Sequence, residues 1–185
     1  MIHYLKPELD ALSARMLKPY AVLRDTVSEP FSLLDAGCMC GYLNHFLRQK
    51  LSRFTYVGID KWEEALQVAR EFQPGIDVRE CDLLTGDLPK FSWTPQSRQL
   101  AGFDYVWCSN IAWNGNEEAI VKRLLPLARR ACFFAQPDYT GTKIYDHAVK
   151  YADVETIVCD NVNLYVMTHV NYHLCRTEDI GIQLD

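Results

Sequence analysis

The chain has 185 residues, 49% of them hydrophobic and 23% charged, with a formal net charge of -5 and a pI near 5.5. That length fits one domain with a sizeable core, and the acidic balance argues against DNA or another polyanion and for a small-molecule ligand. Seven cysteines, an odd number, include Cys81, Cys108, Cys132, Cys159 and Cys175 at strand-like positions; they read as small buried hydrophobes of a reducing, cytoplasmic protein rather than as a disulfide framework.

In chain order, Leu5, Leu9, Leu12 and Met16 fall on one helical face, with Pro7 suited to a first turn and Pro19 expected to kink or restart the helix. Residues 1–29 thus form a helical segment ahead of an α/β core over 30–185. A strand follows at Phe31 to Ala36, then a turn through Asp35, Gly37 and Gly41 into a helix from Gly41 to about Leu51, with Tyr42, Phe46 and Leu47 facing the sheet. Phe54 to Ile59 is a second strand. Trp62, Leu66, Ala69 and Phe72 share the face of the next helix, which Pro74-Gly75 stops, and Ile76 to Cys81 is a short third strand. Leu88 to Gly102 reads as a long loop.

Phe103 to Cys108 makes a fourth strand, and Asn116 with Glu117 and Glu118 begins a helix carrying Ile120, Leu124 and Leu127. Ala131 to Ala135 is a fifth strand, and a helix with Ile144, Ala148 and Tyr151 leads to strands at Val154 to Cys159 and Leu164 to Val170, joined by the turn residues 160–163. Alternating strands and helices imply a mostly parallel sheet covered on both faces, with the hairpin adding an antiparallel strand. No apolar run approaches the roughly 18 residues that span a bilayer, and residues 1–6 carry no targeting pattern.

Four motifs, taken together, carry a family resemblance. The first strand ends in Asp35 and a turn with Gly37, Met39 and Gly41; the second ends in Asp60; Asp82-Leu83 follows the third; and the fourth begins Phe103-Asp104. Over nearly its whole length the chain resembles a minimal class I S-adenosylmethionine-dependent methyltransferase. The resemblance implies a three-layer, Rossmann-like, seven-stranded sheet with a reversed last strand, and S-adenosylmethionine as cofactor. It implies that Asp35, Gly37, Cys38 and Gly41 form the methionine-side turn and that Asp60 and Lys61 lie at the ribose. Asp82 and Leu83 then lie at the adenine, and Ser109, at the end of the fourth strand, is a further cofactor-binding residue.

The residues permit these roles and others. A carboxylate at the end of a second strand accepts two hydrogen bonds from a ribose diol, but Asp60 can equally cap the helix that follows, and Asp82 can be an exposed turn acid. Met39 stands where the family has glycine, so its long side chain either points away from the ligand or takes part of its space. Cys38 and Cys40 lack further ligands for a metal, and the five histidines have no metal-ligand spacing, His169 and His173 being expected in the terminal strand.

The acceptor of the methyl group is expected beyond the fourth and fifth strands, where Asn110, Trp113, Asp138 and Tyr139 are the candidate contacts. Asn110 can orient an acceptor, Trp113 stack on it, and Asp138 or Tyr139 take a proton, although no catalytic base is evident and each can instead be a packing or capping residue. The N-terminal helix, these loops and a second subunit of a homo-oligomer are the available walls. The sequence leaves open a methyltransferase-like binding module or partner subunit without catalysis. A nicotinamide-dinucleotide oxidoreductase fits less well, because Gly-x-Gly-x-x-Gly and a second βαβ half are missing.

Overall fold

The computed structural model describes residues 2–89, 102–109, 115–137 and 143–171, with residues 2–13 described by their backbone alone. The first helix, α1, runs Ile2–Thr26 without a break. Pro7 therefore lies beyond the first turn, and Pro19 neither ends nor restarts the helix. Each proline removes one N–H donor, but around Pro19 the helix is fixed by Met16, Tyr20 and Leu23, which are buried against the sheet. The side chains of Leu5, Leu9 and Leu12 lie outside the described residues.

The strands are β1 (Phe31–Ala36), β2 (Phe54–Asp60), β3 (Val78–Glu80), β4 (Phe103–Ser109), β5 (Ala128–Pro137), β6 (Asp153–Cys159) and β7 (Val162–Thr168). The remaining helices are α2 (Tyr42–Arg48), α3 (Glu63–Phe72), α4 (Glu117–Leu124) and α5 (Ile144–Ala148). The order in the single seven-stranded sheet is β3-β2-β1-β4-β5-β7-β6, with parallel pairing from β3 through to β5 and β7 antiparallel to both of its neighbours. The chain thus leaves β1 in one direction and returns to β4 on its other side. That reversal opens a crevice beyond the carboxyl ends of these strands.

Side-chain alternation produces the three layers. Leu33, Tyr105, Trp107 and Phe133 point to one face, against Tyr20 and Leu23 of α1, Leu43 and Leu47 of α2, and Leu66 and Ala69 of α3. Leu34, Ala36, Val106, Cys108 and Phe134 point to the other, against Ile120, Val121 and Leu124 of α4 and Ile144 and Ala148 of α5. With helices on both faces, every residue of β1 is buried, which is why that strand reads as an apolar run ending in an acid.

Several boundaries differ from the sequence reading. Phe72 is half exposed rather than buried and rests on the rings of Tyr42 and His45, while Ala65 takes the inner position. Leu127 belongs to a 3-10 turn, Leu125–Leu127, that includes Pro126, not to α4. The hairpin turn contracts to Asp160-Asn161, because Val162 and Asn163 already pair with Cys159 and Val158. His169 accordingly falls outside β7 and meets Asp153 at the surface, Nδ1 to Oδ2 at 3.0 Å; His173 lies outside the described residues. Among the described residues, no helix is long and apolar enough to cross a membrane.

The Phe103-Asp104 pair has a structural role at the end of the sheet opposite the crevice. Asp104 accepts from Ser32 N at 2.9 Å, from Ser32 Oγ at 3.1 Å and from Arg129 Nη2 at 3.1 Å, while its own N–H donates to Ser32 Oγ at 2.9 Å. This buried carboxylate ties the start of β4 to the start of β1. Replacing it by alanine strands the donors that face it, so Asp104→Ala should lower unfolding free energy by about 3 kcal/mol in urea titrations. The crevice at the far end of the strands should keep its ligand affinity.

Candidate functional site at the carboxyl ends of the strands

The turn after β1 folds back onto the end of β2. Gly37 N and Cys38 N both donate to Ile59 O, at 2.7 and 3.0 Å, and Gly41 N donates to Cys38 O at 2.8 Å. This path requires left-handed backbone at Gly37 (φ 79), Met39 (φ 50) and Gly41 (φ 71). Glycine adopts that conformation freely, whereas Met39 does so at a cost of about 1–2 kcal/mol. Its side chain packs against Cys40 and Ala65 and also borders the cavity at the strand ends.

Asp60 fixes the turn from the other side. Its Oδ2 accepts from Met39 N and its Oδ1 from Trp62 N, both at 3.0 Å. The carboxylate therefore serves the turn and the entry to α3 together. Each oxygen has two acceptor positions, so one on each remains for a ligand. Asp60 is only 9% exposed, and its exposed edge lies on a cavity of about 1050 Å³.

Asp35 lies deeper, 2% exposed, with Tyr56 Oη donating to its Oδ2 at 2.7 Å. Burial pushes its carboxyl up to about 7; the Tyr56 hydrogen bond opposes this and the Asp60 charge adds to it. Burial likewise raises Tyr20, Tyr56 and Cys38 above their ordinary ranges, so Cys38 is a thiol and not a reactive thiolate. Gly58 faces Asp35 across β1 and β2, and a Cβ there would lie 2.8 Å from Cys38 Sγ and 3.0 Å from Tyr56 Oη. The missing side chain is what lets Cys38 and Tyr56 close over Asp35.

The cavity gathers Asp35, Gly37, Cys38, Asp60, Lys61, Asp82, Leu83 and Ser109 from the sequence-derived set. Gly41 is the exception. It is buried behind the turn, where a Cβ would meet Ile76 Cδ1 at 2.7 Å and Gln73 Nε2 at 2.9 Å, so its part is to let the segment after α3 approach. Asp82 Oδ1 accepts from Leu84 N at 2.7 Å, the turn-acid arrangement, while the residue still borders the cavity. Asn110, Trp113, Asp138 and Tyr139 lie outside the described residues.

Sequence reasoning missed several wall residues. The N-terminal helix was expected as a wall, but not through Arg15, Lys18 and Tyr20, and Asp160 and Asn161 of the hairpin turn were not expected; all border the same cavity, and Lys18 Nζ meets Asp160 Oδ1 at 2.6 Å. It also missed Gln73, whose Nε2 donates to Gly41 O at 2.8 Å while its Oε1 accepts from Asn44 Nδ2 at 2.8 Å. Position after a helix end gave no signal for that clamp. A second hollow, of about 580 Å³, lies behind α2 and the end of α3 and contains none of the predicted residues. Among the described residues, no group of three His, Cys, Asp or Glu side chains is placed to hold a metal ion.

Two outcomes follow from this packing. Gly58→Ala should destabilise the protein by about 1–3 kcal/mol, through the clash with Cys38, and Cys38→Ala should restore part of the loss in thermal unfolding. Asp35 has a native value above that of an unfolded aspartate, so its stabilising contribution is full below about pH 4 and is lost as pH rises toward 7. Asp35→Asn should therefore become more stable relative to the parent as pH rises from 4 to 8, measured by urea unfolding at each pH.

No protein-family model and no curated protein sequence matches the chain. Solved structures do. A TehB-like SAM-dependent methyltransferase from Corynebacterium glutamicum is similar with a TM-score of 0.68 at 13% identity, over 90% of this chain and 96% of that one. Human N-acetylserotonin methyltransferase in complex with SAM is similar with a TM-score of 0.62 at 13% identity, over 86% of this chain and 54% of that one. An O-methyltransferase family 2 protein from Planctomyces limnophilus, in complex with apigenin, gives 0.63 at 14%, over 91% and 60%. Such identities bear on architecture alone: the chain has the seven-stranded, Rossmann-like fold of class I SAM-dependent methyltransferases.

Proposed function

We propose that the chain binds S-adenosylmethionine in the crevice and transfers its methyl group to a small-molecule acceptor. The observation that carries this reading is the orientation of Asp60. Both its oxygens accept from backbone N–H groups, each keeps one further acceptor position, and the residue lines the cavity, an arrangement that suits a vicinal diol. Carboxylates at the ends of β1 and β3 flank it at the same cavity. The set fits a ligand with a cationic end, a ribose and a base with an exocyclic amine.

Asp35 and the Gly37-Cys38 turn would hold the methionine end, Asp60 and Lys61 the ribose, Asp82 and Leu83 the adenine, and Ser109 would border the reacting end. When bound, the cofactor supplies an electrophilic methyl on a sulfonium sulfur. The chain then aligns the acceptor and excludes water, since in-line displacement needs a base only for an acceptor that must lose a proton. Asn110, Trp113, Asp138 and Tyr139 are proposed as acceptor contacts because they follow β4 and β5. Met39 packs against Cys40 and Ala65 and also borders the cavity, so its side chain forms part of the wall that the cofactor would meet.

Calorimetry should detect S-adenosylmethionine and S-adenosylhomocysteine, and Asp60→Ala should weaken both by roughly tenfold to a hundredfold while remaining folded. Failure of the parent protein to bind either overturns the reading. Binding without release of S-adenosylhomocysteine in a small-molecule extract would instead favour the non-catalytic binding module. Asp35 must ionise to face a cation, so affinity should rise with pH below 7, approaching about tenfold per unit, and level off above it. Asp35→Asn should abolish that slope.

A further inference from the structure

The turn after β3 is held from behind by one side chain of α4. Arg123 Nη1 donates to Leu84 O at 3.0 Å, and Nη2 donates to Gly86 O. Within the turn, Gly86 N donates to Asp82 O at 2.8 Å and Leu84 N to Asp82 Oδ1 at 2.7 Å. A Cβ at Gly86 would lie 2.8 Å from Asp82 O. The turn is closed so tightly that only a residue without a side chain fits there.

Its opposite surface is cavity wall. Asp82, Leu83 and Leu84 border the cavity, as does Ile120, which lies three residues before Arg123 and so on the same side of α4. One helix therefore offers an apolar contact to the cavity and a guanidinium to the back of the adjacent turn. A guanidinium holds two donors at fixed spacing and meets two carbonyls at once, which the single ammonium of lysine does not reproduce. The placement also suits the end of a helix, where a cation is favoured.

We infer that Arg123 is a positioning residue that fixes the Asp82–Gly86 turn in the geometry that reads the base of the cofactor. This rests on the function proposed above. Arg123 touches no ligand and acts through Asp82 and Leu83. An aimed carboxylate accepts from an exocyclic amine and repels a carbonyl oxygen in its place, whereas a turn free to move discriminates poorly between them.

The test compares calorimetric affinity for S-adenosylhomocysteine with that for S-inosylhomocysteine, which carries a carbonyl oxygen where adenine has its amine. The parent protein is expected to prefer the adenine compound. Arg123→Lys and Arg123→Met should each reduce that preference about tenfold. Arg123→Lys preserves the charge, and with thermal unfolding as a check on folding it decides the matter even where Arg123→Met is too unstable to measure. An unchanged preference in a folded variant, including an equal loss for both ligands, overturns the role of Arg123. Absence of binding by the parent protein overturns the functional reading itself, and equal binding of the two compounds overturns base reading by this turn.

Discussion

Three N–H groups of one turn are bound to the end of the neighbouring strand: Gly37 and Cys38 to the carbonyl of Ile59, and Met39 to the carboxylate of Asp60. The rest of the crevice depends on this fastening. It draws the β1 turn down beside β2, so that Asp35 and Asp60 face one cavity from adjacent strands. It also dictates the backbone of the turn, because three N–H groups can converge in this way only if the chain passes through left-handed conformations. Gln73 then holds the turn from the α3 side through Gly41 O.

Met39 illustrates how a rule of local conformation yields to packing. Its left-handed backbone costs about 1–2 kcal/mol, and a half-buried methionine side chain recovers about 1 kcal/mol by apolar contact. The two are comparable, so packing against Cys40 and Ala65 is enough to hold a bulky residue in a glycine's place. Asp35 is a different balance. Its burial disfavours charge, and the single Tyr56 hydrogen bond only partly compensates.

The strands and the acids that end them were legible because their causes are local. An apolar run covered on both faces must be a buried strand, and Asp35, Asp60 and Asp82 stand where such strands stop. The hairpin was legible from its turn residues, although its register was not, since one or two residues of pairing are set by β5 on the far side of β7. The continuity of α1 through Pro19 was hidden, because it depends on burial against a sheet contributed by later residues. Gly41 was assigned to the ligand by its motif, yet its closest neighbours, Ile76 and Gln73, belong to the segment that follows α3. The clamps made by Gln73 and Arg123 reach 32 and 37–39 residues along the chain, and no periodicity announces a side chain that bonds a distant carbonyl.

The Lys18–Asp160 pair joins residues 142 positions apart, and the elements carrying them, α1 and the β6–β7 hairpin, meet at the border of one cavity. During vectorial synthesis the β1 and β2 acids emerge early, while the wall facing them is completed only when the hairpin follows. Until then the apolar edge of β5 that β7 will cover is open, and it is a template for pairing with another chain. The nascent chain thus carries an open β5 edge until residues 162–168 have emerged, and a ligand that needed both walls would stabilise only the fold in which both are present.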